Sequence, residues 1–223
     1  FQLKCYKLPI ASPQGLGKAM INLLPIAPEE TIQTVMPMPA DTESWDKLNI
    51  MFATAHGNIR RNLLSDFTNI MRNGKIAMKL NKNDSLIGVL PCQEADNVLL
   101  ASRKGKAIRF AINEVRVFAG RSSVGVRGMR LLGDDQMVSM CVIRDPEQEF
   151  VLSITENGYG KRTSVSEYRR TGRGGQGVAN IETSERNGSV VASFTVFAED
   201  QLMLVTDAGK VIRIRVDGGE RDF

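Results

Sequence analysis

The sequence has little cysteine, few aromatic residues and a single histidine. Its three cysteines, Cys5, Cys92 and Cys141, lie far apart in apolar stretches, so we expect no disulfide framework and a reducing compartment. His56 is the sole histidine and no C-x-x-C spacing occurs, so no zinc ligand set can be assembled. We therefore expect neither a metal nor a cofactor.

Long apolar runs are also absent. The sequence contains no stretch of eighteen apolar residues, which is the length needed to span a membrane, and no leader in which a charged segment precedes an apolar one. With 42% hydrophobic and 24% charged residues among 223, the chain can bury a core, and disorder is not expected. Cytoplasmic localisation follows as an expectation. Because both ends fall inside apparent repeats, we expect a piece of a longer protein.

Motifs for catalysis are missing as well. The sequence contains no G-x-S-x-G elbow, paired-carboxylate pattern or Cys/His arrangement, so we assign no catalytic residue. Two glycine-rich strings, GYGKRTS from Gly158 and GRGGQG from Gly172, lack the spacing of a phosphate-binding loop. The first predicts a hairpin turn. The second is compatible both with a phosphate-binding backbone and with a solvated loop.

What the sequence does contain is an internal repeat. A glycine recurs at intervals of 48, 53 and 51 residues, at Gly57, Gly105, Gly158 and Gly209. Each follows an apolar run, such as MFATA from Met51. An arginine follows each glycine by four positions, at Arg61, Arg109, Arg162 and Arg213. Each repeat therefore predicts a β-hairpin whose second strand carries a base.

A second glycine recurs at Gly17, Gly74, Gly125 and Gly177, and a further apolar run completes each unit. Nothing in these units keeps the 3.6-residue period of a helix. About four short strands per fifty residues predict an all-β fold of β-propeller-like, four-stranded blades. The blades are expected approximately at residues 1–49 (partial), 50–97, 98–149, 150–201 and 202–223 (partial), in a single domain.

Positive charge is concentrated within the repeats. The net charge is only +4, yet residues 53–80, 103–131 and 156–180 hold 18 bases against 4 acids. Since repeats are related by rotation, bases at equivalent positions predict a positive arc that a curved polyanion such as duplex DNA could follow. The candidate DNA-binding residues are Arg60, Arg61, Arg72, Lys75, Arg109, Arg121, Arg127, Lys161, Arg162, Arg169, Arg170, Arg173, Arg213 and Arg215.

Any one of these bases could be explained by its place on a solvated surface. Their recurrence at the same position of each repeat, however, argues for a shared role. Sequence-specific readout is not expected, because no helix is available for the major groove and aromatic residues are too few for a base-stacking platform. The expected mode of binding is therefore contact with the DNA backbone, accompanied by bending of the duplex.

With these motifs in view, the chain resembles the C-terminal domain of bacterial DNA gyrase A subunits along essentially its whole length. The similarity lies in LKCYKLP from Leu3, INLLPI from Ile21, FATAHGNIRR from Phe52, NGKIAMKL from Asn73, VGVRGMRL from Val124, ENGYGKRTSVSEY from Glu156, ERNGSVVASF from Glu185 and LVTDAGKVIRIRV from Leu204. The resemblance implies a six-bladed β-pinwheel, of which about five blades are represented, whose neighbouring blades exchange strands.

The resemblance also implies a function. Such domains wrap duplex DNA on their rim and give an ATP-dependent topoisomerase, formed with gyrase B subunits, the strand crossover needed for negative supercoiling. In the family, a basic glycine-rich box closes the ring in the first blade; the resemblance implies that its position would lie upstream of Phe1, so we assign no residue to it. The string from Arg173 to Gly177 is similar but lies in a later repeat. We expect this chain, as a monomer, to cleave no DNA.

Three alternatives remain open. The corresponding domain of topoisomerase IV shares the repeat, although the regular spacing here favours gyrase. A protein-scaffolding propeller should show tryptophan–aspartate or kelch signatures, which are absent. A propeller glycosidase needs carboxylates that converge in a cleft, and no motif indicates them.

Overall fold

The computed structural model describes residues 1–217. Residues 1–48 contain three short 3-10 helices, Cys5–Lys7, Met20–Asn22 and Thr42–Lys47, and no strand. The partial blade expected over residues 1–49 thus has no strand before Asn49. Six of the eight prolines fall within residues 9–39, and proline cannot donate a backbone hydrogen bond to a sheet. The last six residues of the unit expected at 202–223 lie outside the described residues.

The described chain from Asn49 onward is built of short antiparallel strands. Three more 3-10 helices, Leu64–Phe67, Ile112–Glu114 and Val165–Glu167, each follow the second strand of a hairpin. The strands are β1 Asn49–Thr54, β2 Asn58–Leu63, β3 Leu86–Cys92, β4 Asn97–Ser102, β5 Lys106–Ala111, β6 Val126–Arg127, β7 Met137–Ile143, β8 Phe150–Thr155, β9 Gly160–Ser164, β10 Val178–Ala179, β11 Val190–Val196, β12 Gln201–Val205 and β13 Val211–Arg215.

These strands form four sheets, and neighbouring repeats exchange a strand. The first sheet has the order β3-β1-β2-β6, the second β10-β5-β4-β7, the third β11-β8-β9 and the fourth β12-β13. Strand β6 follows β5 in the chain but pairs with β2 of the preceding repeat, and β10 likewise pairs with β5. The predicted all-β pinwheel with exchanged strands is therefore confirmed.

The sheets have a central and a peripheral edge. Strand β7 packs against both β3 and β11, so these three strands converge at the centre of the assembly. None of them contains a charged residue. The exchanged strands β6 and β10 lie at the opposite edge of their sheets. The periphery is therefore formed by the segments that each repeat lends to its predecessor.

The core consists of layers between successive sheets. Because side chains alternate along a strand, Val98 and Leu100 of β4 pack toward the first sheet, and Leu99 and Ala101 pack toward the third. All four are fully buried. Burial on both faces explains why these strands are continuous apolar runs rather than alternating ones.

The recurring glycines allow turns and close approaches between repeats. All eight glycines of the two series have positive φ, as the turn chemistry indicated. At Gly57 a Cβ atom would lie 2.6 Å from the main-chain oxygen of Met129, and at Gly125 it would lie 2.2 Å from that of Ile59. The exchanged segment therefore approaches the preceding hairpin more closely than any side chain would permit.

We expect Gly57→Ala to destabilise the protein more than Gly158→Ala. The two glycines occupy the same hairpin position, with φ of 85° and 83°, so each change costs about 1–2 kcal/mol for the left-handed conformation alone. Nothing described lies within 4 Å of a Cβ at Gly158. Urea unfolding followed by circular dichroism should give a lower midpoint for Gly57→Ala; equal midpoints would contradict the close approach.

Candidate nucleic-acid interface

The arginines four residues after the hairpin glycines occupy one register. Each lies opposite an apolar residue of the preceding strand, in the pairs Met51–Arg61, Leu99–Arg109, Leu152–Arg162 and Met203–Arg213. Leu99 belongs to the layer between the second and third sheets, and Leu152 to the layer between the third and fourth. The alternation of side chains therefore directs these arginines toward the next sheet, not toward the rim.

Two of these arginines bind the main chain of the following repeat. Arg109 Nη1 donates to the carbonyl oxygens of Val165 at 3.0 Å and Tyr168 at 3.3 Å. Arg162 Nη1 donates to the carbonyl oxygen of Val216, the position equivalent to Val165, at 2.8 Å. Burial lowers the pKa of Arg109, and the charge of Arg170 lowers it further. This arginine position thus connects one blade to the next.

The other two members of the series differ in their surroundings. Arg61 is 4% exposed and forms an ion pair with Glu94 at 2.8 Å. Arg213 is exposed, and no side-chain partner for it exists among residues 1–217. It faces the side of the fourth sheet on which the described chain provides no further blade.

The bases next to this arginine series also differ in exposure, and one of them is buried. Arg60 is fully buried; it donates to Asn62 Oδ1 and to the carbonyl oxygen of Ser123, and its pKa is lowered by burial, which Asp66 partly opposes. Lys161 is exposed and 3.5 Å from the carbonyl oxygen of Asn180. Arg215 is exposed and paired with Asp217.

These positions require a correction. Arg60 and Arg61 are removed from the surface by burial, so the expectation that they contact DNA phosphates directly is wrong for this structure. Arg109 is half-buried, with its guanidinium bound to backbone carbonyls of the next repeat. At Arg109 and Arg162, the recurrence on which the sequence prediction depended reflects contacts between blades.

A second set of contacts links the peripheral segments to one another. Arg121 Nη1 donates to the carbonyl oxygen of Ile76, and Arg173 Nη1 donates to that of Arg127, the equivalent residue one repeat later; both distances are 3.0 Å. The backbone bonds Lys79 N to Ser123 O and Arg130 N to Gly175 O repeat in the same manner. Each peripheral segment is thus hydrogen-bonded to the next.

We call residues 68–82, 115–131 and 168–180 the outer belt. They comprise the exchanged strands β6 and β10, the segments leading into them, and the segment 68–82 that the contacts of Lys79 and Ile76 join to them. The belt contains 11 bases and no acid. Among residues 1–217, none of these bases forms an ion pair with an acid.

Several belt side chains are free. Arg72, Arg127, Arg169 and Arg170 are exposed, and their side chains have no hydrogen-bond partner among the described residues. Lys75 is half-buried and donates to the carbonyl oxygen of Asp66 at 2.6 Å. Their positive charge is therefore not neutralised within the part of the protein that the structure describes.

Sequence reasoning missed four belt bases: Lys79, Lys82, Arg116 and Arg130. The sequence prediction did not extend to them, although Lys79 and Arg130 recur five residues after Gly74 and Gly125. Arg116 precedes the bridge of Val117 to Arg61, just as Arg169 precedes the bridge of Arg170 to Arg109. The acid-free windows around Gly74, Gly125 and Gly177 were the signal that could have found them.

Groups able to perform redox or metal chemistry are not assembled in the described residues. Burial raises the pKa of the Cys92 and Cys141 thiols to about 12, so neither is a reactive thiolate at neutral pH. Tyr168 is buried, its hydroxyl donating to Asn180 Oδ1 at 2.5 Å. Within residues 1–217, no group of three His, Cys, Asp or Glu side chains could hold a metal ion.

The fold and the site together define a β-pinwheel with a basic periphery. Comparison with known proteins leads to the same class. A family model described as "DNA gyrase C-terminal domain, beta-propeller" matches residues 48–93, 96–143, 149–196 and 200–218. The DNA gyrase A protein of Rickettsia bellii is 41% identical over 263 aligned residues, covering 97% of the chain and 29% of that protein. The gyrase A protein of Salmonella typhimurium is 41% identical over 216 residues, covering 97% and 24%. The chain belongs to the DNA gyrase C-terminal domain family.

Solved structures show the same fold. A gyrase A C-terminal domain aligns with a TM-score of 0.79 and 29% identity, covering 90% of this chain and 65% of that one. A topoisomerase IV C-terminal domain aligns with a TM-score of 0.84 and 23% identity, covering 98% and 66%. The chain spans less than a third of the length of the curated relatives above. In the described residues, no helix is long and apolar enough to cross a membrane.

We expect Arg109→Gln to destabilise the protein and Arg213→Gln to leave its stability nearly unchanged. Arg109 loses charged hydrogen bonds to two carbonyls, each worth about 1.5–3 kcal/mol, whereas substitution of a free surface arginine changes stability by about 0.5 kcal/mol or less. The two arginines occupy the same register and lose the same charge. Urea midpoints measure the difference, and equal midpoints would refute the role of Arg109 between blades.

Proposed function

We propose that this chain binds duplex DNA along the outer belt and bends it around the periphery without reading its sequence. The observation that supports this most directly is the belt itself, with 11 bases, no acid and no ion pair among the described residues. Unpaired guanidinium groups suit a phosphate backbone, because the planar fork can donate two hydrogen bonds at once.

The shape of the belt favours bending over simple binding. Peripheral segments of successive repeats are hydrogen-bonded to one another, so their bases follow the curvature of the blades. Bending 20–30 base pairs by 40–90° costs roughly 1–6 kcal/mol, which contacts spread over several blades can offset. Among residues 1–217 no α-helix is present to enter a major groove, so readout of bases is not part of the proposal.

The relatives suggest the setting in which this occurs. They are named as the A subunits of DNA gyrase, and the chain corresponds to less than a third of each. We propose that it is a non-catalytic, monomeric wrapping domain with units approximately at residues 50–97, 98–149 and 150–201, and that it requires no cofactor. In the bacterial cytoplasm, at the nucleoid, it would present DNA to the rest of gyrase A and to gyrase B, an ATP-dependent topoisomerase that introduces negative supercoils.

Topoisomerase IV is the second candidate setting. Its C-terminal domain has the higher TM-score, 0.84 against 0.79. At 23% identity, however, that likeness concerns the fold alone. The relatives at 41% identity are gyrase subunits, so gyrase is favoured.

We expect the triple substitution of Arg72, Arg169 and Arg170 by glutamine to weaken duplex binding and flatten its salt dependence. Each phosphate contact contributes about 0.9 to the slope of log affinity against log salt concentration. These side chains bind nothing else among the described residues, so the fold should persist. The measurement is anisotropy of a labelled duplex of about 40 base pairs, titrated with the 223-residue protein at salt concentrations from about 50 to 200 mM.

The matched control replaces Lys4, Lys47 and Lys210 by glutamine, which removes the same charge at exposed positions outside the belt. Its salt slope should remain close to that of the unmodified protein. Equal slopes for the two triple variants would count against the belt as the DNA-binding surface. Absence of duplex binding by the unmodified protein would count against the function itself.

A further inference from the structure

A depression of about 570 Å³ lies between the tip of the β1–β2 hairpin and the segment that follows β6. It is lined by His56, Arg127, Met129, Arg130 and Leu131, and we call it the His56 pocket. Two of its residues are belt arginines, and Arg127 belongs to the exchanged strand β6 itself. The pocket is therefore a concave part of the belt, at the point where one repeat crosses onto the preceding hairpin.

The fold does not require the two arginines of this pocket. Gly128 N and Met129 N donate to the carbonyl oxygen of Gly57. One repeat later, the equivalent residues Asn180 and Ile181 make the same bonds to Gly105. There, however, the positions of Arg127 and Arg130 are occupied by Ala179 and Glu182. The repeat thus provides an internal comparison in which the backbone arrangement persists without the positive charge.

The charge of the pocket is not neutralised by its neighbours. Arg127 and Arg130 are exposed, and neither side chain has a hydrogen-bond or ion-pair partner among residues 1–217. The carboxylate that approaches the pocket is that of Asp84, whose Oδ2 lies 3.8 Å from His56 Nδ1.

Asp84 is already engaged. Its side chain is 1% exposed and accepts hydrogen bonds from Thr54 Oγ1 and from the backbone nitrogens of His56 and Ser85. Its charge therefore serves the hairpin turn, and two free guanidinium groups face solvent beside an imidazole that is 41% exposed.

We infer that the His56 pocket seats a backbone phosphate of the bound duplex, held by the guanidinium groups of Arg127 and Arg130 with the His56 ring beside it. This inference rests on the proposed function and adds a particular phosphate site to it. Two arginine forks that line the same concave surface match the oxygens of a phosphodiester better than isolated surface charges do. The equivalent positions one repeat later, Ala179 and Glu182, do not provide this pair of bases.

The test uses His56 as a reporter, because it is the only histidine in the chain. Its ring carbon–proton signal in a two-dimensional NMR spectrum of the 223-residue protein is therefore assigned without ambiguity. On titration with a short duplex, the signal should shift and saturate with the dissociation constant that anisotropy gives for the same duplex. A stationary signal while the duplex binds would overturn the inference and leave the proposed function intact.

The variant Arg127→Gln/Arg130→Gln should lose this shift. Between about 50 and 200 mM salt, the affinity of this variant for the duplex should also fall less than that of the unmodified protein. The difference should be a factor of about three for each phosphate contact that the substitutions remove. The control Lys47→Gln/Lys210→Gln loses the same charge outside the belt and should retain both the shift and the slope. Identical behaviour of the two variants would overturn the inference. If the unmodified protein binds no duplex at all, the proposed function fails as well. Failure of the phosphate site alone is thereby distinguished from failure of the proposed DNA binding.

Discussion

The structure depends on the pairing of each exchanged strand with the hairpin of the preceding repeat. Strand β6 pairs with β2, and β10 pairs with β5, across turns where glycines permit contacts that a Cβ would prevent. This pairing places the segments that contain β6 and β10 at the periphery and leaves uncharged strands at the centre. It also joins the blades in series, since each segment is bonded to the next.

The basic residues serve two separate purposes. Arg109, Arg121, Arg162 and Arg173 donate to carbonyls of a neighbouring repeat; these residues recur because the contact between repeats recurs. The free bases of the outer belt are less regular, and the fold does not need them: the position of Arg130 is occupied by Glu182 one repeat later. Regular recurrence therefore marks structure here, and unpaired charge marks the candidate DNA-binding surface.

Much of the fold could be predicted from the sequence, because turn glycines and apolar runs are local signals. Gly57 and Gly105 revealed the hairpins and their spacing. The orientation of Arg61 and Arg109 was misjudged because a repeat length does not say which face of a strand meets the next blade. Arg61 lies two residues after the buried Ile59 and therefore on the same face of the strand, which indicates that Arg61 points toward the next sheet. The recurring glycine at Gly17 led to the prediction of a partial blade before Asn49, whereas the six prolines of residues 9–39 disfavour strands there.

The central claim is that the outer belt carries duplex DNA around the blades. It is tested most directly by ligating nicked circular DNA in the presence of the protein and measuring the linking number of the products. A wrap traps writhe, so the account predicts a shift that grows with bound protein and disappears when the free belt arginines are replaced by glutamine. An unchanged linking number under conditions where the protein saturates the DNA would contradict it.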